Sequence, residues 1–367
     1  AMAGGSSASI TTFFYDSMPL NAHLPPAGQE RRNMLALMMK SVLGLATVIG
    51  ASPEGHALSA RLFAVALREP ETREEILEAP KFLQLATLDD ADAVRLAKNY
   101  LSYFQGRTTH YSVPDQSSLR DLIPENRVKA YDVRSVIEGI FDVDSVLELR
   151  ADFGLGMVTA LARLDGRPIG VVANNPAQLG GAIDSDGADK AARFLQLCDA
   201  FDIPVVTLVD TPGMMVGPEV EKTALVRHCT RLFVTGANIT VPMVSIVLRK
   251  SYGLGAQAMM GGSTKAPVAC VAWPTGEFGG MGLEGAVRLG YRNELAAIDD
   301  PDERERTFQQ MVDRMYEVGK AVNVASHFEI DDVIDPADTR RWISALLAAA
   351  PVPTPRPGKK RPNIDTW

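Results

Sequence analysis

Apolar positions are spaced in two styles along this chain. In "REPETREEILEAPKFLQLATLDDADAVRLAKNYLSYFQ" (68–105) they recur at three- and four-residue steps among Glu and Ala, the period of amphipathic helices, and the helical reading extends back to about residue 34. The stretch "GRTTHYSVPDQSSLRDLIPENR" (106–127) is polar and turn-rich, a linker by composition. After it come short, continuous apolar runs. "MVTALARLDGRPIGVVANN" (157–175) predicts a hairpin turning at Asp165–Gly166, a dipeptide that tolerates positive φ. "IPVVTLVD" (203–210), "VPMVSIVL" (241–248) and "APVACVAWP" (266–274) predict strands covered on both faces. Between them, 186–201 is an amphipathic helix with Asp186 as its N-cap, and a Gly/Pro loop at 211–222 feeds a helix through about 236. The charged run 300–322 is a long outer helix. Strands and helices alternating through short connections predict an α/β fold.

Composition narrows the function. Of 367 residues, 46% are hydrophobic and 22% charged, as in a globular protein. A formal net charge of −8 argues against a nucleic-acid partner. The basic run "RPGKKRP" (356–362) lies among prolines in a tail at 349–367. Residues 1–33 read as a disordered or artificial tail with no signal peptide. The apolar run 33–51 is interrupted by Lys40 and is shorter than the roughly 20 residues of a membrane span, so a buried or interface helix is expected there. Cys198, Cys229 and Cys270 are far apart in sequence, which suggests a reducing compartment, and five scattered histidines predict no metal site. The expected location is the cytoplasm.

The chemistry concentrates in three small-residue loops after strands, at 210–217, 251–256 and 275–285. In α/β folds ligands sit beyond the carboxyl ends of strands. Glycine there lets a ligand approach the backbone, and the free N–H groups of a helix start can hold an oxyanion. For any one loop alone, close strand–helix packing explains the glycines as well. Three together favour a site. Glu277, Glu284 and Asp210 are the available acids, each more readily a cap or loop anchor than a proton carrier. No phosphate-binding GxxxxGK(S/T) and no GxSxG elbow occur.

From about 125 to 345 the chain resembles the C-terminal half of the carboxyltransferase β subunit of biotin-dependent acyl-CoA carboxylases. The segments that carry the likeness are "YDVRSVIEGIFD" (131–142), "LDGRPIGVVANNP" (164–176), "KAARFLQLCDAFDIPVVTLVDTPGMMVG" (190–217), "KSYGLGAQAM" (250–259), "WPTGEFGGMGLEGAV" (273–287) and "IDPADTR" (334–340). The resemblance implies a crotonase-like superhelix of ββα units over 128–348, preceded by a helical N-terminal segment at 34–105. It also implies trimers stacked into hexamers. In that family the N-terminal half holds the acyl-CoA and the C-terminal half holds biotin on its carrier.

By position, the resemblance places a biotin-side oxyanion hole in Gly253, Leu254, Gly255 and Ala256, with the backbone N–H groups of Leu254 and Gly255 as donors. Gly213, Met214 and Gly217, and Gly279, Gly280 and Gly282, would line the same cleft. The implied partners are the biotin carboxyl carrier protein, biotin carboxylase and acyl-CoA, with no metal in this chain. "GASPEGHA" (50–57) faintly resembles an N-terminal-half segment of the family, and "REPETREEILEAP" matches nothing in it. The expectation is therefore a carboxyltransferase subunit that needs a partner for the acyl-CoA half. Two other readings stay open: a biotin-independent decarboxylase or hydratase-like enzyme using Glu277 and Glu284, and a non-catalytic partner of a full carboxyltransferase.

Overall fold

The computed structural model of the protein describes residues 90–127 and 129–351. The tail at 1–33, the segment 34–89 with its apolar run and "GASPEGHA", and the basic stretch 356–362 lie outside the described residues. Helix α1 (Asp90–Ser102) is the first described element, with Tyr100 and the following Tyr103 buried. In the polar stretch 106–127, a 3-10 turn (Gln116–Asp121) is capped by Asp115, which accepts from the Ser117 N–H at 3.0 Å, and it buries Leu119 completely.

Helix α2 (Arg134–Ile140) leads into β1 (Leu147–Leu149), β2 (Met157–Leu164) and β3 (Arg167–Asn174), which pair antiparallel in sequence. The hairpin turns at Asp165 (φ 53°) and Gly166 (φ 77°), as the dipeptide requires. Then follow α3 (Ser185–Ala200), β4 (Val205–Thr211), α4 (Pro218–Glu221), α5 (Leu225–Asn238) and β5 (Met243–Tyr252). The remaining elements are α6 (Gly253–Met259), β6 (Ala269–Ala272), β7 (Glu277–Gly279), α7 (Leu283–Gly290), α8 (Arg292–Ala296), α9 (Pro301–Gly319), α10 (Ala321–Ser326), β8 (Asp332–Val333) and α11 (Thr339–Ala349).

The described strands form one mixed sheet of eight in the order β1-β2-β3-β4-β5-β6-β8, with β7 pairing β5 off that path. From β3 onward every pairing is parallel. The architecture is α/β, as the alternation predicts. Two expectations need correction. The α3 cap is Asp184, whose carboxylate accepts from the Gly187 N–H at 2.7 Å, whereas Asp186 sits in the first turn. Two acids two residues apart both satisfy the sequence rule, and only the extended backbone of Asp184 (φ −97°, ψ −178°) decides between them. Strand β5 does not stop at Leu248 but runs through Arg249 and Lys250 to Tyr252, because a buried acid on β4 receives both bases.

Successive residues of the central strands point to opposite faces. Val205, Val209, Met243 and Val247 join one core with Ala188, Leu195, Leu232 and Met259 from α3, α5 and α6. Val206, Leu208, Val244, Ile246 and Leu248 join the other, with Val136 and Ile140 of α2 and Ile343 and Leu347 of α11. Each such side chain contributes about 1.5–3 kcal/mol of burial, and burial on both faces is why the runs are uninterruptedly apolar. The hydroxyls of Thr207 and Ser245, buried on adjacent strands, satisfy each other at 2.7 Å. A third, smaller core of Tyr252, Leu283, Val287, Phe308 and Val312 fixes α7 and α9 against the end of β5. Among the described residues no helix is long and apolar enough to cross a membrane.

Candidate active site

Because β4, β5 and β7 are parallel, their carboxyl ends open on the same side of the sheet. Thr211 pairs with Ser251 and Gly279 with Tyr252, so the three following loops start level with one another. Helix α6 begins at Gly253 with no intervening loop, and that abrupt change from strand to helix uses a left-handed residue, Gly253 at φ 57°. A Cβ on Gly253 would lie 2.6 Å from the Gly280 carbonyl oxygen. A Cβ on Gly255 would lie 2.7 Å from both Cα and C of Gly213 and 3.0 Å from the Met214 nitrogen. The three loops therefore meet backbone to backbone, at distances only glycine permits.

The Gly213 loop is held from the other side. Its carbonyl accepts from the Ile183 N–H at 3.0 Å, and Met215 donates to the Ile183 carbonyl at 2.9 Å. No side chain caps α6 at Tyr252. The N–H groups of its first turn, Leu254 and Gly255 among them, have no intrahelical acceptor. Such a pair of backbone donors can hold an oxygen that gains negative charge, and loss of one such donor costs about 2.7–4 kcal/mol of transition-state stabilisation in known enzymes.

The structure brings Gly253, Gly255, Gly213, Met214 and Gly280 into direct proximity. Gly279 lies in β7 beside Tyr252. Ala256 is buried, whereas the Leu254 side chain is 62% exposed. Gly217 and Gly282 stand at the starts of α4 and α7, and a Cβ on either would meet nothing within 4 Å.

The acids are structural anchors in this geometry. Asp210, fully buried at an irregularity in the β4–β5 register, accepts from Arg249 Nε at 3.1 Å, the Lys250 N–H at 3.1 Å and the Tyr131 hydroxyl at 2.9 Å. The Arg249 guanidinium also lies over the Tyr131 ring at 5.0 Å. Glu277, 2% exposed, pairs with Arg127 at 3.1 Å, and Glu284 receives the same guanidinium at 3.3 Å. Burial, and then the charge of Glu277, push the Tyr252 hydroxyl far above the usual tyrosine range, so it stays a hydrogen-bond donor. Sequence reasoning missed Arg127 and Tyr131, since their partners lie 79 to 157 residues away.

A family model described as "Carboxyl transferase domain" matches residues 70–364. The chain belongs to that family. It is 39% identical over 289 residues to the methylmalonyl-CoA carboxyltransferase 12S subunit of Propionibacterium freudenreichii subsp. shermanii, covering 75% of this chain and 54% of that protein. Among solved structures, the carboxyl transferase fold matches a single-chain, multi-domain long-chain acyl-CoA carboxylase. That match has TM-score 0.67 and 56% identity, over 72% of this chain and 26% of the other. It also matches the transcarboxylase 12S hexamer with methylmalonyl-CoA bound, at TM-score 0.67 and 36% identity, over 77% of this chain and 56% of that one. The chain spans about half the length of the curated relatives it matches.

Proposed function

We propose that this chain is the biotin-side part of an acyl-CoA carboxylase carboxyltransferase. It would move a carboxyl group between biotin on a carrier protein and the α-carbon of an acyl-CoA, through an enolate. The observation that carries this reading is the meeting of the Gly213, Gly253–Gly255 and Gly280 backbones beside an uncapped turn. Membership of the carboxyl transferase family supports the reaction class.

The residues fit a ureido group. Gly217, Gly280 and Gly282 leave space that a Cβ would fill, and backbone N–H groups suit an uncharged oxygen that becomes anionic. When bound, biotin supplies the carboxyl group and, at a ring nitrogen, a base for the acyl α-proton. The N–H groups of Leu254 and Gly255 would hold the ureido oxygen and stabilise negative charge developing on it. Gly213 to Gly217 and Gly279 to Gly282 line the cleft and admit the ring. Asp210, Arg249 and Lys250 tie the two strand ends together where their register shifts. Glu277 and Glu284 are engaged by Arg127, so the arrangement favours this reading over a decarboxylase relying on their proton transfer.

The acyl-CoA half would come from a partner in a cytoplasmic assembly with biotin carboxylase and carrier protein. A crotonase-like superhelix stacked as trimers into a hexamer is the arrangement we favour, in line with the hexamer of the 12S relative. The 56% identity to the long-chain enzyme favours a long-chain acyl-CoA.

The test is the reverse reaction. The chain is incubated with methylmalonyl-CoA or malonyl-CoA and free biotin, with and without a subunit bearing the acyl-CoA half, and CoA products are followed by mass spectrometry. Loss of the carboxyl group that needs both biotin and the added subunit is the expected result. Biotin-independent loss by the chain alone would replace this reading with a decarboxylase.

A further inference from the structure

We infer that Arg127 is a positioning residue for the backbone donors of α6, an inference that rests on the function proposed above. Its guanidinium donates through Nε to Glu277 Oε2 at 3.1 Å and through Nη2 to Glu277 Oε1 at 3.4 Å. Through Nη2 it also reaches the Tyr252 hydroxyl at 3.3 Å, and through Nη1 it reaches Glu284 Oε1 at 3.3 Å. The group lies 5.0 Å from the centre of the Tyr316 ring on α9. Five donors in a rigid plane are what a contact to four separate elements requires, and a lysine ammonium cannot reproduce it.

The placement of those four partners is the argument. Glu277 is the first residue of β7 and Glu284 lies in the first turn of α7, so they stand on either side of the loop 280–282. That loop contains Gly280 and Gly282, and at both a Cβ would meet nothing within 4 Å. With so little side chain of its own, the loop is held mainly by its ends. Its Gly280 carbonyl is the atom that stands 2.6 Å from where Gly253 would carry a Cβ. Tyr252, the fourth contact, is the residue directly before Gly253. Arg127 thus acts with the β5–β7 ladder to set the distance between the glycine loop and the start of α6, and with it the direction of the Leu254 and Gly255 N–H groups.

A plainer role also exists for Arg127. Glu277 is 2% exposed, and a buried carboxylate needs a counter-charge whatever lies nearby. The two roles separate in a double variant. Arg127→Met alone leaves Glu277 uncompensated and lowers global stability under either role. Arg127→Met combined with Glu277→Gln removes both charges, so a purely neutralising role predicts full recovery. The full chain is compared in both forms by hydrogen exchange of peptides covering 279–284 and by the amide resonances of 15N-labelled Gly253 and Gly255. An Arg120→Met control loses only the exposed pair with Asp335.

In the double variant the unfolding midpoint recovers, while exchange in 279–284 stays about tenfold or more above wild type and the two glycine resonances remain displaced. Return of both exchange and resonances to wild-type values would overturn the inference and leave Arg127 a counter-ion. Neither readout needs turnover, so failure of the carboxyl-transfer reading would leave this test intact.

Discussion

Gly255 and Gly213 touch through their backbones: a Cβ on the first would fall 2.7 Å from the second. The contact joins the start of α6 to the loop after β4 and leaves no room for the smallest side chain. Gly255→Ala must therefore push the two loops apart. Overpacking of this kind costs about 1–3 kcal/mol of stability, read as a lower midpoint in urea. Displacing the donors costs more in function, and carboxyl transfer should fall roughly 100-fold, as when one oxyanion donor is lost. Wild-type turnover from Gly255→Ala would remove that contact from the site.

Asp210 makes the second prediction. It is fully buried and receives Arg249, which is 3% exposed. Asp210→Ala strands that guanidinium in the core and should cost about 3–5 kcal/mol in urea unfolding. Exposed pairs give the contrast: Lys222→Ala, which breaks a surface pair with Glu219, should change stability by less than about 1 kcal/mol.

These two cases also show how much the sequence discloses. The hairpin at Asp165–Gly166 is legible because the turn needs positive φ at residues that tolerate it. The parallel strands are legible because a two-faced core demands unbroken apolar runs. The end of β5 is not, since Arg249 and Lys250 look like the end of an apolar run until Asp210, about 40 residues earlier, neutralises them. Similarly, Glu277 falls in a Gly-rich stretch that reads as loop, yet it opens β7 by pairing with Lys250. The three glycine loops are visible one by one, but that they touch is a property of the parallel sheet. Arg127 carries no local signal, because its role lies wholly in contacts across some 125 to 189 residues.

Lys190 predicts a pH dependence. It is 1% exposed, its amine has no hydrogen-bond partner among the described residues, and burial pulls its pKa down from 10.5 to about 8. Between those values the unfolded chain binds more protons than the folded one, so stability rises with pH there. Below about pH 8 both states carry the charge and the cost of burying it is constant. Lys190→Met should be more stable than wild type at neutral pH, and the difference should shrink from pH 8 to 10.5. A constant difference across chemical denaturation curves in that window would refute the assignment.

The thiols should be silent in the native state. Cys198 and Cys270 are fully buried, and burial lifts the Cys270 thiol to about 12. Their modification by a thiol reagent should proceed no faster than unfolding, measured independently by stopped-flow fluorescence. Rapid reaction at either position in native protein would contradict their placement in the core.

The central claim is that the N–H groups at the start of α6 receive biotin. The direct measurement is titration of the 15N-labelled full chain with free biotin, and separately with an acyl-CoA, following the amides of Leu254 and Gly255. The account predicts saturable shifts of these two amides with biotin and none at the same positions with acyl-CoA. Shifts with acyl-CoA alone would contradict it and assign this site to the other half of the reaction.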